Sequence, residues 1–168
     1  VTRESSPDAA KRERQIWQAL RRVMDPEIPV VSVVDLGVIR QVELTSNGVR
    51  ISMTPTFAGC PALDVMVRQV RATAQSLGFE PVDVEIVHDP PWTTDWLSEE
   101  TKDTLRSFGL SPPPEHGGNI DLVLAEPAVC PYCGSSDTVL KNRFGSALCR
   151  SIHVCQACNQ PFESFKPL

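Results

Sequence analysis

The chain reads as an α+β protein: a small α-β-β-α-β domain with a mixed sheet, then a four-cysteine domain of zinc-ribbon type. Three observations predict this. Apolar residues recur at helical spacing over residues 7–24 and 61–77. Short stretches at 38–44, 49–54 and 82–87 alternate or concentrate branched apolar residues, as strands do. Two Cys-x-x-Cys pairs, C-P-Y-C and C-Q-A-C, stand near the C-terminus.

The first helix rests on Ile16, Leu20 and Val23, which form one stripe. It ends at Asp25-Pro26, because proline lacks an N–H and disfavours helical geometry at the residue before it. A turn-rich stretch with Asp35 and Gly37 leads to the first strand. Asn47-Gly48 between two strand-like runs is a hairpin signal. The loop P-T-F-A-G-C-P opens the second helix, whose apolar face is Leu63, Met66, Val67, Val70 and Ala74. Gly78 suits the residue after its end. The alternation V-D-V-E-I-V then predicts a third strand. Ser98 followed by Glu99 and Glu100 predicts a further helix ending near Gly109. The three prolines and two glycines of S-P-P-P-E-H-G-G-N mark a linker at 111–127. The expected organisation is therefore a domain over 1–110, a linker over 111–127 and a four-cysteine domain over 128–168. Residues 1–8 are polar and expected to fray.

Composition narrows the function classes. The chain has 168 residues, of which 41% are apolar and 22% charged, the profile of a soluble globular protein. Its net charge of −5 gives no global pull toward nucleic acid. From Ala128 onward the balance reverses, with Lys141, Arg143, Arg150 and Lys166 against Asp137 and Glu163. No apolar run approaches the ~20 residues of a membrane span, and the N-terminus has no secretion-signal core. A cytoplasmic location is the expectation, and there six cysteines are better read as thiols or metal ligands than as disulfides.

Cys130, Cys133, Cys155 and Cys158 form two knuckles 21 residues apart, one residue beyond the usual spacing for a four-cysteine site. Two thiolates two residues apart can turn onto one cation, and two such turns complete a tetrahedron. Gly134 permits the tight turn after the first pair, and Asn159 takes that part after the second. One structural zinc ion is the leading reading; an iron–sulfur cluster and a redox pair stay open. Cys149 and His153 lie between the knuckles as spare ligand types, and burial of Cys149 as a small apolar residue is the simpler account. Cys60 is expected at or near a helix N-cap, where the dipole would favour its thiolate; a buried cap is the equal alternative. Asp25, Glu27 and Asp35 read first as turn and capping groups, and metal or partner contacts second. Thr54 and Thr56 could donate hydrogen bonds to a thiolate or cluster. Trp92 and Trp96 are expected to cover the core. No phosphate loop, Ser-His-Asp arrangement or H-E-x-x-H helix is present, so no catalytic residue is assigned.

The segments D-P-E-I-P-V, D-L-G-V-I, T-P-T-F-A-G-C-P and H-D-P-P-W-T-T-D-W-L-S together resemble the MIP18-like, or domain of unknown function 59, family over about residues 10–110. The two-knuckle tail resembles the branch of that family that accompanies multicomponent phenylacetyl-CoA epoxidases of phenylacetate degradation. The resemblance implies a non-catalytic accessory role in assembling or delivering iron–sulfur clusters. It implies epoxidase subunits as partners, above all the iron–sulfur reductase component. Cys60 matches the family's motif cysteine and so becomes the residue expected to ligate a transient cluster or iron. Asp25, Glu27, Asp35, Thr54 and Thr56 are weaker candidates beside it. One cysteine cannot hold a cluster alone, which implies a homodimer or a client that completes the coordination. Two rivals stand beside this reading: a structural adaptor of the oxygenase, and a nucleic-acid-binding ribbon that the acidic pI disfavours.

Overall fold

A computed structural model describes residues 7–57, 59–113, 115, 117 and 127–166. The chain forms two compact units, residues 1–55 with 61–91, and residues 56–60 with 92–168.

The first unit holds α1 (Pro7–Leu20), β1 (Ile39–Leu44), β2 (Val49–Met53), α2 (Leu63–Ser76) and β3 (Val82–Ile86). This is the predicted α-β-β-α-β order. β1 and β2 are antiparallel, and β2 and β3 are parallel, so the sheet is mixed. A parallel neighbour requires a crossover, and α2 is that crossover. Ile16 and Leu20 of α1, Ile51 and Met53 of β2, and Met66, Val70 and Ala74 of α2 are buried. The helical 3–4 spacing and the strand alternation thus bring their apolar sides into the core. The first helix ends at Leu20 rather than near Met24, yet Val23 stays buried in the turn that follows.

The predicted hairpin closes through the Thr45 N–H donating to the Gly48 carbonyl at 3.0 Å. Gly48 is needed for close approach rather than for an unusual φ. A Cβ there would meet the Pro81 carbonyl oxygen at 2.1 Å, and the neighbouring Val49 N–H donates to that same oxygen at 3.1 Å. Gly78, by contrast, has φ +82° just past α2, as expected of a residue after a helix end.

The second unit holds a 3₁₀ turn (Thr94–Trp96), α3 (Glu99–Ser107), β4 (Leu110–Ser111), β5 (Thr138–Asn142), β6 (Arg150–Cys155) and β7 (Pro161–Phe165). Ser98 caps α3, accepting from the Thr101 N–H at 3.1 Å. The sheet order is β4-β7-β6-β5. β5, β6 and β7 form an antiparallel ribbon, and β4 joins β7 in parallel. The helix expected at the end of the first domain therefore clusters with the ribbon. The expected linker falls inside this unit, and much of it (114, 116 and 118–126) lies outside the described residues, as do residues 1–6. Trp92 is buried against Phe165, with ring centroids 5.7 Å apart; Trp96 is only partly buried.

Candidate functional site

The two knuckles fold by the same local chemistry. In the first, the Cys130 N–H donates to Ser135 and the Gly134 N–H returns to the Cys130 carbonyl, both at 2.9 Å. In the second, the Cys155 N–H donates to Gln160 at 3.0 Å and the Asn159 N–H returns to Cys155 at 2.9 Å. Gly134 has φ +74° and Asn159 φ +59°, the left-handed geometry that glycine and asparagine tolerate best. Both expected turn formers thus occupy matching positions.

These turns bring four sulfurs together. All four lie within 4.8 Å of one another. Cys130 and Cys158 are 3.7 Å apart, and Cys133 and Cys155 are 3.5 Å apart. A tetrahedron with metal–sulfur bonds of about 2.3 Å has edges of about 3.8 Å, so the donor set fits one metal ion. Cys130 and Cys155 pack with Phe162 in a small apolar cluster. The Cys158 N–H lowers Cys155, burial opposes it, and the Cys133 thiol adds to the lowering, leaving Cys155 at about 7. The Ser135 N–H lowers Cys133, but hydrogen bonding to Cys155 and desolvation outweigh it and push that thiol up to about 12. A cation among the four sulfurs would favour ionisation of all of them.

Among the described residues this is the group able to hold a metal, and neither spare ligand joins it. Cys149 is buried, as expected of a small apolar residue. His153 bonds Ser151 Oγ through Nε2 at 2.9 Å and stacks on Phe162. Burial holds its imidazole below the ordinary histidine range.

The remaining candidates divide between the units. Asp25, Glu27, Asp35 and Thr54 belong to the first, and Thr56 and Cys60 to the second. Asp25 is buried, and its Oδ1 accepts from the Glu27 and Ile28 N–H groups, each at 2.8 Å. That is a turn-forming role. Asp35 closes a second turn: it accepts from Ser32 Oγ at 2.7 Å, and its own N–H donates to that hydroxyl. Arg21 donates to the other carboxylate oxygen of Asp35 at 2.9 Å. Thr54 is 1% exposed, and its Oγ1 has no hydrogen-bond partner among the described residues.

Cys60 lies near the start of α2 but is not its cap. The N-cap of α2 is Ala62, in helical conformation and with no side-chain cap. Cys60 stands two residues earlier, its N–H donating to the Phe57 carbonyl at 3.0 Å. It is a half-buried thiol outside any disulfide. Pro61 and Ala62 form a turn ahead of the helix, so the expected capping position is not realised.

Sequence reasoning missed two buried charged groups. Lys102 Nζ donates to Glu99 at 2.7 Å and to Glu115 at 2.9 Å. Burial lowers its affinity for the proton, and the two carboxylates more than restore it. Arg150 pairs with Glu163 at 2.9 Å. Glu99–Lys102 is an i,i+3 helical pair, but Lys102–Glu115 and Arg150–Glu163 each span 13 residues and leave no periodic signal.

Residues 13–86 match the family model described as iron–sulfur cluster assembly protein, and residues 119–166 match the PaaD zinc beta ribbon domain. The chain belongs to the iron–sulfur cluster assembly, MIP18-like family. A relative in Escherichia coli, named as one of the subunits of 1,2-phenylacetyl-CoA epoxidase, is 40% identical over 153 residues, covering 90% of this chain and 91% of the relative. An Fe-S protein maturation auxiliary factor of Porphyromonas gingivalis is 41% identical over 90 residues, covering 52% of this chain and 85% of the factor. The crystal structure of a domain of unknown function 59 protein from Bacillus anthracis is 29% identical with a TM-score of 0.54, covering 57% of this chain and 92% of that one. The family resemblance read from the motifs is thus borne out, and so is the α+β fold with a zinc-ribbon tail. No helix among the described residues is long and apolar enough to cross a membrane.

Proposed function

We propose that this chain is a non-catalytic accessory factor that assembles or delivers an iron–sulfur cluster to a multicomponent phenylacetyl-CoA epoxidase, acting on its iron–sulfur reductase component. The observation that carries this is one chain joining a cluster-assembly region, residues 13–86, to a four-sulfur ribbon, with a separate half-buried thiol at Cys60. The likeness to the Escherichia coli epoxidase relative, which runs over nine-tenths of both chains, supports the choice of client.

In this reading Cys130, Cys133, Cys155 and Cys158 hold one zinc ion, which stabilises the ribbon. The cluster is cargo. Cys60 thiolate ligates it transiently, and a second copy of the chain or the client supplies the other ligands. Asp25 and Asp35 shape turns beside this work, with Glu27 and Thr56 as weaker contacts. The buried Thr54 hydroxyl has no partner among the described residues; an unmet buried donor costs about 1–3 kcal/mol, and an acceptor on a bound group would remove that cost.

The test is the iron and acid-labile sulfide content of the reductase, produced with the wild-type chain, with Cys60→Ser, or without the chain. Cluster content should fall equally in the last two. Unchanged content in all three would instead make the chain a structural adaptor with an inert Cys60.

A further inference from the structure

We infer that the four-cysteine ribbon is a peroxide-sensitive switch, in which Cys133 is the oxidation site and Cys155 the sulfur that closes a disulfide with it. The four ligands are not equivalent. Cys130 and Cys155 are buried, at 1% and 0% exposure, Cys158 is half-buried, and Cys133 is exposed. Tyr132 and Gly134, on either side of Cys133, are exposed as well. The chain enters the ribbon at Ala128 on the apolar side, packed with Cys130, Cys155 and Phe162. One corner of the donor set thus meets solvent, and the others are shielded in whole or in part. Distance then selects a partner. Cys155 Sγ stands 3.5 Å from Cys133 Sγ, and Cys158 Sγ stands 3.7 Å from Cys130 Sγ. Both close pairs join one knuckle to the other, so neither closes a Cys-x-x-Cys loop.

A thiolate is the form that a hydroperoxide oxidises, and exposure decides which one reacts first. The Cys133 sulfur attacks one oxygen of hydrogen peroxide. The S–O bond forms, the O–O bond breaks, and hydroxide leaves. The sulfur has lost two electrons and is a sulfenic acid; the peroxide has gained them. The Cys155 thiolate then attacks that sulfur. The S–S bond forms, the S–O bond breaks, and a second hydroxide leaves. Both hydroxides take protons from solvent and become water. The donor set keeps only Cys130 and Cys158, short of the four ligands that a structural site needs. A segment with so little core loses its fold with its ion. A thiol reductant cleaves the disulfide and makes the change reversible. Cys149 does not compete, being buried and outside the four-sulfur group.

The switch rests on the reading that these sulfurs hold zinc, and it is independent of cluster transfer at Cys60. The zinc-loaded full chain is treated with hydrogen peroxide beside a chromophoric chelator, and its cysteines are mapped by mass spectrometry. Release of each ion should accompany loss of two thiols and a Cys133–Cys155 disulfide. Dithiothreitol with fresh zinc should restore the ribbon's circular dichroism. A limiting amount of iodoacetamide should alkylate Cys133 ahead of Cys130, Cys155 and Cys158. Cys133→His keeps four ligands without the oxidisable corner, so peroxide should release its zinc at least about tenfold more slowly. Cys158→His, which keeps Cys133, should stay sensitive, and Cys60→Ser should respond as the wild type does. Zinc retained under peroxide, a disulfide within either knuckle, first alkylation at another ligand, or a Cys133→His chain as sensitive as the wild type would each overturn the switch with the metal reading intact. Should Cys133→His take up no zinc, the alkylation order and the disulfide map decide. A wild-type chain that takes up no zinc would overturn the metal reading and the switch together. Normal reductase iron with Cys60→Ser would sink cluster transfer and leave the switch standing.

Discussion

Asp25 shows how a single carboxylate can look functional and still have a sufficient structural task. Its Oδ1 satisfies two backbone N–H groups, at Glu27 and Ile28, in a buried turn that Pro26 helps to fix. Hydrogen bonds to a charged acceptor contribute about 1.5–3 kcal/mol each. Asp25→Ala should therefore destabilise the chain by about 2–4 kcal/mol, and Asp25→Asn by clearly less, because the amide oxygen can still accept. Denaturant unfolding followed by tryptophan fluorescence checks the order. A pair of variants equal to wild type in stability but defective in cluster delivery would move Asp25 from turn former to site residue. Gly134 and Asn159 were legible in the sequence for a similar reason. A knuckle needs a left-handed residue at a fixed offset from its first cysteine, and few residue types supply one. Cys60 was legible as chemistry but not as geometry. Gly-Cys-Pro suggested a cap, whereas the chain takes one more turn and starts α2 at Leu63.

At the scale of elements, periodicity carried the first unit and failed for the second. β1 to β3 follow alternation closely enough to place their ends within a residue. The ribbon strands carry little such pattern, because knuckles, loops and a central metal site replace a two-faced core. Four of the five residues of β5 are exposed, which no alternation would identify. What fixes the β5–β6 connection is Glu163 on β7, which accepts from the Ser146 N–H and hydroxyl and from Arg150. Desolvation raises the Glu163 carboxyl, but those donors outweigh it and hold it below the ordinary 4.5. A depressed carboxylate stabilises the fold above its unfolded value and loses that contribution as pH falls through its native value. Glu163→Gln should thus be less stable than wild type at neutral pH. The gap should close as pH drops below about 4.5, where denaturant titrations at stepped pH would follow it. A gap that widens on acidification would contradict the assignment.

For the whole molecule, residues 92–111 cluster in one compact unit with the ribbon, together with residues 56–60. Leu110–Ser111 pairs with β7, Trp92 packs on Phe165, and Lys102 binds Glu115. A fragment over residues 92–168 should accordingly hold its metal more tightly and unfold at higher temperature than one over 112–168. The shorter fragment leaves the β7 edge and Phe165 uncovered. Competition with a chromophoric chelator and thermal unfolding of both fragments decide the matter. Equal behaviour would restore the proline-rich stretch as the boundary. Chelation of the metal from the full chain should loosen the β5–β7 ribbon first, since a segment this small has little core of its own.

The sequence by itself determined the local and chemical features: the helices and strands of the first unit, the four ligands of the metal site, the turn residues of both knuckles, and the motifs that mark the family. Each depends on residue type at short spacing, so a linear reading suffices. Only the tertiary structure decided which strands pair across long separations, where α3 and β4 belong, and that Gly48 serves a close approach to Pro81. Those outcomes follow from contacts between residues far apart in the chain, and no local pattern encodes them.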